Sequence, residues 1–215
     1  MKATTYGQQD PPWRNVLLGT SAVTIGGYGC TITALASYLT DVGVEIGTAP
    51  PDPGLLNRWL ARHGGFWRGN LLIFDSVRPL GVEMIEYIDC RAQPAPIARL
   101  QDALLDQRGV LIEVDFRPAT RAVNPHWVRL LRLMEDDAWI MDPWLAAGWE
   151  ITRLMPRYAR PDWDTPARAV MRAVIYGERA PAAANDAAAR PYRVGAGEAP
   201  PPTQEVLCPA PWVEV

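Results

Sequence analysis

Three residue types in this chain could do chemistry together. Cys30 stands in GGYGCTITALA, after a glycine and at the first turn of an apolar helical pattern. Unpaired backbone N–H groups and the helix macrodipole favour negative charge there, so the position would stabilise a thiolate and supply a nucleophile at neutral pH. A lone cysteine is as often a small buried hydrophobe, and the residue by itself admits both readings. His126, in NPHWV, opens an expected strand and is one of two histidines. At a sheet end its ring can face a helix N-terminus, although strand histidines are commonly structural. His63, in LARHGGF near a helix end, reads as exposed or capping. Asp142, in IMDPW, closes the next expected strand, from which its carboxylate could reach His126 and hold the imidazole in the useful tautomer. Asp before Pro is also a common turn former.

The elements that must position these residues follow from periodicity. CTITALASYLT puts Ile32, Leu35, Ala36 and Leu39 near one helical face and ends in polar Thr40-Asp41 before Gly43, which predicts a buried helix starting just after Gly29. From Tyr6 to Gly29 the chain is rich in Gly, Pro, Thr and aromatics without helical period, and is expected to be an extended segment wrapped over the surface. A Pro-rich loop at 49–54 precedes a short amphipathic helix on Leu55, Leu56, Trp59 and Leu60, stopped at Gly64-Gly65. IARLQDALLDQRG repeats that pattern, with Gly109 as the expected stop. The period then changes to two: VLIEVDF, HWVRLLRLM and AWIMDPW predict three adjacent antiparallel strands, and a further strand is expected at 169–176.

Composition bounds the function. With 215 residues, 48% hydrophobic and 21% charged, the chain can bury one sizeable core, and we expect a domain at 1–177 followed by a Pro/Ala/Gly-rich tail at 178–215. A net charge of -3 with scattered arginines argues against nucleic acid. Neither an apolar run of membrane-spanning length nor a classical signal peptide is visible. Cys30, Cys90 and Cys208 are too few and too widely spaced for a disulfide framework, which fits a reducing compartment, and no CxxC pair points to a metal. No cofactor is expected.

The ordered set Gln, Trp, Gly-Tyr-Gly-Cys, Pro-His-Trp-Val and Asp-Pro-Trp resembles the C39-like cysteine peptidase family of the papain-like superfamily, over 6–158. The family's opening, Tyr-x-Gln-x-Asp-x-x-Trp, is matched by Tyr6, Gln8, Asp10 and Trp13. The resemblance implies an α+β papain-like fold, N-terminal helices packed on an antiparallel sheet. It implies Cys30 as nucleophile, His126 as general base and acid, Asp142 as orienting carboxylate and Gln8 as side-chain donor of an oxyanion hole completed by the Cys30 N–H. Gln9 stands beside Gln8, and in an extended segment only one of them can face the site. The implied reaction is amide hydrolysis of a peptide, such as a short or cell-wall peptide, through an acyl-enzyme. The same triad also supports acyl transfer to an amine. Trp127 and Trp144 flank the three residues and are candidate walls of a substrate cleft.

A reading of a different class is a non-catalytic structural or interaction component that keeps the fold, for example in a phage particle or secretion assembly, with the tail as its protein-binding segment. The matching expectation for location is cytoplasmic or assembly-associated.

Overall fold

The computed structural model describes residues 3–146 and 148–178. The expected tail therefore lies outside the described residues, apart from Glu178 at its start, and so does Cys208.

The first segment is less extended than its composition predicts. Thr24 caps a single turn, α1 (Ile25–Tyr28), its hydroxyl accepting from the Gly27 N–H at 3.2 Å. After Gly29 comes α2 (Cys30–Asp41), the helix expected to begin at Cys30. Helix α3 (Pro53–Arg62) starts inside the Pro-rich stretch expected to be a loop. Asp52 Oδ1 accepts from the Leu55 N–H at 2.7 Å, and Pro53 occupies the first turn, where its missing N–H costs nothing.

A small hairpin of β1 (Phe66–Trp67) and β2 (Leu71–Leu72) and a 3-10 stretch at Phe74–Leu80 lead into β3 (Val82–Asp89). Helix α4 (Ile97–Leu105) precedes the meander β4 (Gly109–Asp115), β5 (Pro125–Leu133) and β6 (Ala138–Met141), the three adjacent strands the period of two predicts. The chain continues through β7 (Ile151–Arg153), α5 (Met155–Tyr158), α6 (Pro166–Ala169) and β8 (Arg172–Glu178). Among the described residues the main sheet has six strands in the order β3-β8-β4-β5-β6-β7, every neighbouring pair antiparallel.

Two further boundaries differ from expectation. Gly109 does not stop a helix: α4 ends earlier, Gln107 takes the left-handed conformation at φ 59°, and Gly109 opens β4. A Cβ on Gly109 would come within 2.6 Å of the Tyr38 ring, so close approach of α2 to the sheet is what requires glycine there. The last strand begins at Arg172, because Pro166–Ala169 forms the short helix α6.

The sheet is covered on both faces. Ile32, Leu35 and Leu39 of α2 pack with Leu111, Trp127, Val174 and Tyr176 on one face. Leu100 and Ala103 of α4 pack with Val110, Ile112, Val128, Leu130 and Tyr158 on the other. Arg129 of β5 ties α2 to the sheet, its Nη1 donating to Ser37 Oγ at 2.9 Å and Asp41 Oδ2 at 2.5 Å. Among the described residues, no helix is long and apolar enough to cross a membrane.

Candidate active site

His126 is the second residue of β5 and Asp142 follows β6 directly, so the antiparallel β5–β6 pairing sets them side by side. His126 Nε2 lies 2.8 Å from Asp142 Oδ1, with the two side chains 1% and 0% exposed. Burial alone would raise the Asp142 pKa. The charge and hydrogen bond of His126, followed by Arg157 and Tyr158, outweigh it and hold the carboxyl at about 2. Asp142 is therefore an acceptor at neutral pH, His126 Nε2 is the donor, and Nδ1 becomes the acceptor nitrogen of the neutral ring.

Asp142 is held from every side. Its Oδ1 also accepts from the Trp144 N–H at 2.9 Å, and its Oδ2 accepts from Arg157 Nε at 2.6 Å and the Tyr158 hydroxyl at 2.5 Å. Burial first, and then the Asp142 charge, push the Tyr158 hydroxyl well above its ordinary pKa, so it stays a neutral donor. Phe116 packs on the His126 ring at a centroid distance of 5.1 Å. Sequence reasoning named none of Arg157, Tyr158 and Phe116. No spacing signals them, since α5 brings two of them back only after β7 has turned the chain.

Cys30 is fully buried at the first position of α2, with Gly29 before it. Its sulfur is in a disulfide. That is at odds with the reducing compartment expected from the cysteine count, and it makes reduction a precondition for any thiolate chemistry. Cys90, a free cysteine, is pushed up to about 11 by burial and then by the Asp89 charge, which keeps it an unreactive thiol.

Gln8 sits in a turn, not in an extended stretch, and the alternation argument for Gln8 against Gln9 does not hold: both amides donate to Gly26 O, Gln8 at 2.8 Å and Gln9 at 2.6 Å. Gln8 is buried and Gln9 half-buried. The Gln8 backbone N–H donates to Pro143 O at 2.7 Å. Gln8 thus bridges α1, four residues before Cys30, to the residue after Asp142. Its Oε1 is buried and finds no hydrogen-bond partner among the described residues.

The two tryptophans separate. Trp127 is fully buried against Phe74, with ring centroids 5.1 Å apart, because it neighbours His126 on a strand and points to the opposite face. It is a core residue. Trp144 is half-buried and meets Phe116 edge-on at 4.9 Å, one ring removed from His126. Among the described residues no cluster of His, Cys, Asp or Glu is arranged to hold a metal ion.

No protein-family model matches the chain, and no curated protein matches it. Among solved structures, a "putative C39-like peptidase" from Bacillus anthracis is similar at 14% identity and a TM-score of 0.46, over 84% of this chain and 100% of that one. Likeness at that level fixes neither fold family nor activity.

Proposed function

We propose that the chain is a C39-like cysteine peptidase or amidase of papain-like fold, in which reduced Cys30 attacks a peptide carbonyl with His126 and Asp142 as its acid–base partners. The observation that carries this reading is the buried His126–Asp142 hydrogen bond at the end of the sheet on which the cysteine-bearing helix packs. Tyr38 lies against Gly109, at the far end of β4 from Val114, which pairs with His126. Helix rise of about 1.5 Å per residue makes the eight residues from Tyr38 back to Cys30 roughly 12 Å. That is some two-thirds of the roughly 17 Å of β4 between Gly109 and Val114 at about 3.4 Å per residue. With α2 running back along β4, its first turn comes to within roughly 5 Å of the level of His126, a gap that the two side chains can span.

The chemistry assigns each atom a task. The Cys30 sulfur forms a bond to the carbonyl carbon while the carbonyl π pair moves to oxygen, where the Cys30 N–H and the second N–H of Gln8 Nε2 are the donors. His126 takes the Cys30 thiol proton and gives it to the leaving amine as the C–N bond breaks; it then takes a proton from the water that adds to the acyl carbon and returns it to the sulfur as the C–S bond breaks. Asp142 keeps Nε2 protonated throughout. Because Cys30, His126 and Asp142 are all buried, turnover also needs the site to open.

The test is the rate at which iodoacetamide labels Cys30 in pre-reduced protein from pH 4 to 9, read cysteine by cysteine by peptide mass spectrometry. Fast labelling at pH 5 to 6 that disappears in His126→Ala is the expected result, with Cys90 as the slow reference. Labelling of Cys30 no faster than Cys90, and indifferent to the substitution, would end the enzyme reading.

A further inference from the structure

A second feature lies at the same end of the sheet but outside the triad. Cross-strand neighbours Glu113 of β4 and Arg172 of β8 form a buried ion pair, Arg172 Nη1 donating to Glu113 Oε1 at 3.0 Å. Their side chains are 1% and 7% exposed. This pair borders a pocket of about 720 Å³, within the range of small-molecule sites, whose wall also includes Arg91, Arg168, Trp163 and Pro125.

The pair is incompletely used. Arg172 Nε is buried and has no hydrogen-bond partner among the described residues, an expensive condition for a guanidinium N–H. With Nη1 engaged by Glu113, the Nε edge of the planar fork is the one left for a bidentate acceptor. Arg168 is exposed and donates only at 3.4 Å to the Asp162 carbonyl, whereas Arg91 is already held by Asp89, Nε to Oδ1 at 2.9 Å. Two guanidinium groups thus have donors to spare. Glu113 and Asp162 in the same wall disfavour a dianion such as phosphate and suit a group of one negative charge.

We propose that this pocket binds a peptide-sized molecule through a single carboxylate, such as the free C-terminus of a short peptide. The carboxylate lies on the Nε edge of Arg172 with Arg168 beside it, and the rest of the ligand runs along Trp163 and Pro125. The site does not require Cys30 to be a nucleophile, so its test is separate from that of the peptidase reading.

Titration calorimetry of the full chain with acetyl-alanyl-alanine and with its C-terminal amide separates the carboxylate from the remainder of the ligand. The acid should bind about tenfold or more tightly than the amide, and Arg168→Ala should remove most of that difference. Arg172→Lys, which keeps the charge opposite Glu113 but removes the fork, should do the same wherever its melting temperature shows a folded protein. Equal binding of acid and amide, absence of acid binding, or tighter binding of inorganic phosphate than of the acid would each overturn the proposal.

Discussion

Asp142 shows what a single buried residue requires. A carboxylate with no exposed surface is tolerated because its oxygens meet His126, the Trp144 N–H, Arg157 and Tyr158. Its pKa falls from 3.8 to about 2 in the folded chain, so the stability it contributes is intact above about pH 4 and is lost as pH falls toward 2. Tyr158→Phe removes one donor without changing volume much and should cost about 1–2 kcal/mol at neutral pH. It should also shift the acid limb of stability to higher pH, since Asp142 then protonates more readily. Urea denaturation from pH 2 to 7 reads both effects, and superimposable acid limbs would show that Tyr158 does not hold the carboxylate. Part of this residue-scale picture was legible. His126 and Asp142 could be paired from strand order, whereas reading Trp127 as a cleft wall overlooked the period of two, which puts it on the face opposite His126. The role of Tyr158 was not legible, because it depends on a chain reversal through β7, three residues long.

At the scale of elements, β4 is buried along its whole length and yet carries Glu113. Burial, partly offset by Arg172 and Arg91, raises the Glu113 pKa from 4.5 to about 7. A carboxyl raised in the folded state adds nothing at low pH and destabilises progressively as pH rises from about 4.5 to about 7. Glu113→Gln keeps an acceptor for Arg172 Nη1 and removes the ionisation. Its melting temperature relative to the parent chain should therefore climb through that window and level off above it. A difference that stays constant from pH 4 to 8 would mean that Arg172 neutralises Glu113 without strain. The elements read correctly from sequence, α2 and the β4–β6 meander, are those whose hydrophobic period is local and strong. Strand β3 was missed because VEMIEYID places Glu83, Glu86 and Asp89 among its apolar residues and becomes a strand only by pairing with β8, far along the chain. Gly109 was misread because Gln107 supplied the left-handed turn that glycine usually supplies.

For the whole molecule, the controlling feature is that β8 lies between β3 and β4. A chain ending at Val170 would lack the strand that joins β3 to the rest of the sheet, and should show no cooperative thermal transition. A chain ending at Glu178 retains every strand found among the described residues and should melt as one unit. Survival of the shorter chain as a cooperatively folded protein would show that β4–β7 form a domain without β3. The same arrangement bears on synthesis at the ribosome. Translation from Asp89 to Arg172 takes on the order of 10 s, during which the β3 segment exists without the strand it pairs with. Newly made chains crowd together in such intervals, and an apolar edge would recruit its neighbours. The acidic residues of β3, which obscured it as a strand, put like charges on that segment, and in that interval like charges disfavour the pairing of one nascent chain with another.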